Sequence, residues 1–121
     1  MQRDLRERTK NFALRIIKLY SALPRRGVAQ VLGPQVLKSG TSVGAHYREA
    51  CRAKSDADLV SKVEGGLQEL DETSYWLELI GEVEILPLKR LEGLHNKAEE
   101  LTAILVTIVT KVKRNDPKRR R

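Results

Sequence analysis

Apolar residues recur along this chain at helical spacing, in four segments parted by connections that hold the prolines. In the first, Leu5, Phe12, Ile16, Leu19, Tyr20 and Leu23 lie three, four or seven positions apart. That spacing puts them on one face of a helix predicted over about residues 3–23. Pro24 stops it, and Arg25-Arg26-Gly27 opens a connection reaching Gly33. Pro34 suits a first helical position, where proline's missing N–H would be unpaired anyway. The second helix is therefore predicted from Pro34 to about Ala53. Its stripe is built of small residues: Val36, Leu37, Gly40, Val43, Gly44 and Tyr47, with Ser39, Thr41, Ser42 and Ala45 around them. Glycine and serine lower helix propensity, so the expected compensation is close approach of another helix; a merely weak helix is the alternative.

The third helix is predicted to start at Ser55 as N-cap and to run to about Val83 or Glu84. Asp58 completes a start resembling a capping box, and both Asp56 and Asp58 suit the positive end of the helix dipole. Leu59, Val60, Val63, Leu67, Leu70, Ser74 and Leu77 share one face. Trp76, Leu79, Ile80 and Val83 form a second apolar face roughly opposite, which calls for a second partner. Gly65-Gly66 reads as a close helix crossing. The fourth helix is predicted from near Pro87 to about Lys113, with Leu91, Leu94, Ala98, Leu101, Leu105, Ile108, Val109 and Val112 as its stripe. Ile104 and Val106 widen that stripe, and Asn115, Asp116 and Pro117 end the helix. The fold class that follows is all-α, an antiparallel up-and-down four-helix bundle over residues 1–114 with a basic tail over 115–121.

Composition agrees with one soluble domain. Of 121 residues, 40% are hydrophobic, enough to exclude wholesale disorder despite 32% charged residues. The longest apolar run is Ala103-Ile104-Leu105-Val106, far short of the roughly 18 residues that span a bilayer. The first ten residues are charged where a signal peptide needs an apolar stretch, so a cytoplasmic protein without membrane contact is expected.

Charge changes the picture more. Residues 1–54 carry 12 basic and 3 acidic side chains, residues 55–110 carry 4 and 12, and residues 111–121 carry 7 and 1. Either the two unlike halves neutralise each other within one subunit, or they meet between subunits and leave the tail for a polyanion.

Catalytic chemistry is sparse. Glu92-Gly-Leu-His95 is a single Glu-x-x-His spacing, where a di-metal bundle needs two. His46 and Glu49 stand one turn apart and are expected to share a hydrogen bond. Cys51, the one cysteine, sits beside Arg52, which can lower a thiol pKa, but no dyad partner shares its helix turn. No phosphate-cradling glycine loop or nucleophile elbow occurs. No enzyme, cofactor or metal is expected.

The segment Gln35-Val-Leu-Lys-Ser-Gly-Thr-Ser42-Val43-Gly-Ala-His46-Tyr47-Arg48-Glu49-Ala50 resembles the signature of the 23S ribosomal RNA intervening-sequence proteins. Arg52-Ala-Lys-Ser55, the stretch Leu67-Gln-Glu69-Leu70-Asp71-Glu72 and the opening Phe12-Ala13…Ile16-Ile17…Leu19-Tyr20…Leu23-Pro24 are similar too. The likeness covers about residues 5–113, with His46 where asparagine is usual and Ala50 where glycine is usual. The resemblance implies a four-helix bundle assembled into a homopentameric ring, without enzymatic activity. A related branch, the accessory variability protein of diversity-generating retroelements, binds nucleic acid and a reverse transcriptase.

Two function classes follow. The first is an oligomer that holds RNA or DNA by its phosphates, through Arg48, Arg52, Lys54, Lys113, Arg114, Lys118, Arg119, Arg120 and Arg121. The second is a protein-interaction scaffold, such as an accessory subunit of a retroelement reverse transcriptase. In either case Trp76, Leu79, Ile80 and Val83 are the expected oligomer interface, in a head-to-tail ring.

Overall fold

The computed structural model describes residues 2–115, with side chains from residue 4 onward. It has four helices: α1 Gln2–Ala22, α2 Ala29–Cys51, α3 Asp56–Glu82 and α4 Leu88–Arg114. No strand occurs among the described residues. None of the helices is long and apolar enough to cross a membrane.

Cross-helix pairs fix the topology. Thr9 lies against Gly44 and Tyr20 against Gly33, so α1 and α2 run antiparallel. Ser39 meets Thr73 and His46 meets Gly65, so α2 and α3 do as well. Leu105 lies by Gly66 and Leu88 by Gly81, which sets α3 against α4. An ion pair between Arg8 and Glu100, with the Arg15 guanidinium over Gly93, closes α4 onto α1. The result is the up-and-down bundle that the periodicity predicts. Phe12, Ile16, Val36, Val43, Leu70, Leu77, Leu101 and Leu105 fill its centre.

The small stripe of α2 is there for close packing. A Cβ on Gly40 would stand 2.6 Å from Ile16, and one on Gly44 would stand 3.2 Å from the Thr9 hydroxyl. On the other flank, a Cβ on Gly65 would stand 2.8 Å from His46 Nδ1. Beside that crossing, Thr73 donates to the Ser39 hydroxyl at 2.8 Å. This buried bond pins the register of α2 on α3.

The caps are mostly those expected. The Ser55 hydroxyl accepts from the Asp58 N–H at 3.0 Å, and Pro87 precedes α4. Asp58 departs from the capping box, since its carboxylate accepts from the Lys54 N–H rather than from that of Ser55. Helix α3 ends at Glu82, and Glu84 turns the chain in the left-handed region at φ 59°.

Three expectations need correction. Helix α2 begins at Ala29, not at Pro34, which lies inside it. The reason is burial: Ala29, Leu32 and Gly33 are buried, and this outweighs the hydrogen bond that proline removes near the helix start. Gly27 permits the early start by taking φ 64° in the connection. Second, Tyr20 is 39% exposed and lies on the flank of α1 against Gly33, not in the core. Third, Ile80 is fully buried in the core of its own bundle, so it belongs to no outer patch. Leu59, Val60 and Leu67 pack half-buried against the core, beside Val63 and Leu70 as their spacing predicts.

Candidate nucleic-acid interface

An antiparallel bundle brings the start of α1, the end of α2, the start of α3 and the end of α4 to the same pole. Cations gather around these termini. Arg48 lies in the last turn of α2, where it also opposes the negative end of the helix dipole. Arg52 and Lys54 follow in the connection to α3, and all three are exposed. Lys111, Lys113 and Arg114 lie in the last turn of α4.

Packing adds one cation that spacing along the chain does not reveal. Arg6, one turn before Thr9 on α1, is near enough to the end of α2 to act electrostatically on the Tyr47 hydroxyl. Burial pushes that phenol well above its ordinary value of 10.0, and its hydrogen bond to Cys51 pushes it further. Arg6 acts in the opposite sense and Asp4 in the same one.

Carboxylates at this pole are largely engaged. Asp4 pairs with Arg8 at 3.5 Å and Glu49 with Lys62 at 3.5 Å. Glu64 takes Lys113 at 3.3 Å, which draws this expected phosphate-binding residue toward α3. The Glu49–Lys62, Glu64–Lys113 and Arg8–Glu100 pairs join helices within one chain, and the last two join the basic parts of the chain to its acidic part. Among the described residues, Arg6, Arg48, Arg52 and Lys54 form no ion pair. They make an open basic surface on the α1–α2 side of the pole. The α3–α4 side differs. A hollow of about 360 Å³ there is lined by Asp56, Glu64 and Gln68, and its one cation, Lys113, is already paired with Glu64. Lys118, Arg119, Arg120 and Arg121 lie outside the described residues.

The remaining polar residues sort differently from expectation. His46 does not pair with Glu49. Its Nε2 lies 3.6 Å from Glu69 on α3, while its buried Nδ1 has no hydrogen-bond partner. The cause is the glycine at position 65, which lets the imidazole lie close on the facing helix. His95 lies 3.5 Å from Glu99, one turn on. Among the described residues, no group of three or more histidine, cysteine or acidic side chains is placed to hold a metal.

At the C-cap of α3, Val83 is 55% exposed, and on the helix Trp76 and Leu79 are half-buried against the core. The Trp76 indole N–H is buried without a partner.

A family model described as 23S rRNA-intervening sequence protein matches residues 2–107. A crystal structure of a protein of unknown function from the S23 ribosomal protein family, from Bacteroides thetaiotaomicron, superposes with a TM-score of 0.81. That protein is 38% identical in sequence, and the match covers 86% of this chain and 96% of the other. No curated protein matches.

Proposed function

The chain belongs to the 23S rRNA-intervening sequence protein family, and from that premise we propose that it is a non-enzymatic, oligomeric bundle that binds RNA or DNA at its basic pole. The observation that carries this reading is the unpaired cluster Arg6, Arg48, Arg52 and Lys54 at the pole where α4 also ends and releases the tail. Only 4% of the residues are aromatic, which leaves base stacking little to work with. Lys and Arg on phosphates remain, and such contacts carry little sequence information.

A salt series tests this. Binding of duplex DNA and of structured RNA is expected to weaken steeply with salt, by a slope of about −0.9 per phosphate contact on the duplex. Removing residues 115–121 is expected to lower affinity for every sequence alike and to flatten that slope. Absence of binding to both nucleic acids at about 50–100 mM salt overturns the reading, because the counterion-release drive is strong in that range.

Self-association rests on a separate observation. Val83, the C-cap of α3, is 55% exposed, and Leu79 and Trp76, one and two turns before it, are only half-buried. A neighbouring subunit packed on this end of α3 would cover that apolar surface. Light scattering at micromolar concentration is expected to give several times the mass of one chain. Val83→Glu is expected to reduce that mass while leaving the helical signal unchanged. It is a cleaner probe than Trp76→Glu, because Trp76 also packs on the core. A monomeric wild-type chain refutes the assembly.

A further inference from the structure

We infer that the corner where α1 turns into α2 is a peptide-docking site, which takes an extended acidic segment and seats one of its apolar side chains. A hollow of about 410 Å³ opens there, within the roughly 300–1,000 Å³ usual for small-ligand pockets. Tyr20, Leu23, Pro24 and Pro34 give it apolar walls, and Arg25 and Gln30 give it polar points.

Each polar point has a defined preference. Pro34 carries no N–H, so the Gln30 carbonyl has no amide donor four residues on, as a helix would normally provide. It is left without that intrahelical donor, and a peptide backbone has an N–H at nearly every residue. The Ser21 hydroxyl is not available in the same way, since it already donates to the Ile17 carbonyl at 3.0 Å.

Arg25 sets the sign of the partner's charge. It is exposed beside the equally exposed Arg26, and neither forms an ion pair among the described residues. Residues 8–48 contain no aspartate or glutamate, so neither α1 beyond its second turn nor α2 before its last turn provides a local counter-charge. An incoming carboxylate is the complement. A peptide with an apolar residue flanked by Glu or Asp meets the walls, the carbonyl and the guanidinium together. A nucleic-acid phosphate would meet only the arginines and leave the apolar walls uncovered. The site is independent of the basic pole, which lies at the opposite end of the bundle.

The test is NMR on the isotope-labelled full chain with the blocked peptide acetyl-Glu-Leu-Phe-Glu-Glu-amide, alongside the same peptide with every Glu replaced by Lys. The expected result is shift changes centred on residues 20–34 with the acidic peptide and little change with the basic one. Arg25→Glu, at an exposed connection, is expected to weaken the acidic peptide by roughly three- to tenfold. Pro34→Ala restores an N–H for the Gln30 carbonyl and is expected to weaken it by a similar factor, while making α2 no less stable. Four outcomes overturn the proposal: no localised shifts at low-millimolar peptide, equal shifts with the basic peptide, wild-type affinity in both variants, or the same residues shifting more strongly with a short oligouridylate.

Discussion

Leu70→Ala and Leu105→Ala are each expected to lower the unfolding free energy by about 2–5 kcal/mol. Both side chains are essentially inaccessible, and they come from α3 and α4, the two helices that share the glycine-lined contact at Gly66. Truncating either removes three carbon atoms from a region where helix backbones already lie close, so the walls have little freedom to collapse into the void. Domains of this size are held by only about 5–15 kcal/mol, so the loss is a large share of the total. Urea unfolding followed by circular dichroism reads it, at one fixed protein concentration because any self-association would add to apparent stability. Val106→Ala on the same helix is the control: at 47% exposure its loss is expected to stay below about 1 kcal/mol. Equal losses at Val106 and Leu105 would show that α4 turns a different face to the core.

Replacing Arg48, Arg52 and Lys54 together by glutamine is expected to weaken binding to duplex DNA on the order of 10²–10³-fold at about 0.1 M salt. With three fewer phosphates neutralised per subunit, the salt slope should also shrink by about 2.7. The three side chains are exposed and form no ion pair among the described residues, so their removal leaves no buried charge unpaired. The helical signal is expected to hold, apart from a few tenths of a kcal/mol where Arg48 opposes the dipole of α2. Lys89→Gln with Arg90→Gln removes two cations from the opposite pole and should leave both affinity and slope unchanged. If that pair matters as much as the triple, the protein attracts polyanions by net charge alone and the basic pole has no special role.

The two variant sets probe parts of the chain that differ in how far they can be read without coordinates. The Leu70 and Leu105 stripes are legible because burial on one side of a helix imposes a period close to 3.6 on the sequence. Arg48, Arg52 and Lys54 are legible as a cluster because they are near neighbours in the chain. Arg6 is not: it joins them only through the antiparallel packing of α1 on α2, and nothing local distinguishes it from Arg3 or Arg8. Spacing along α2 pairs His46 with Glu49, one turn away. Glu69 is its neighbour instead, since Gly65 removes the side chain that would have kept the imidazole off α3.

The four helices, the Ser55 and Pro87 starts, the close-packed character of the α2 stripe and the uneven charge are all legible along the chain. These depend on local propensity, on capping and on which residues share a face, and all three act within about two turns of one helix. Where α2 begins, that Ile80 is core while Val83 is surface, and which cations gather at one pole are set by packing between helices. Each of those outcomes depends on what a neighbouring helix places opposite a residue. The first turn of α2 forms across Pro34's missing hydrogen bond because Ala29, Leu32 and Gly33 find cover there. Burial is worth more than a single backbone bond, and the Tyr20 and Leu23 side chains beside Gly33 are brought there only by the turn between α1 and α2.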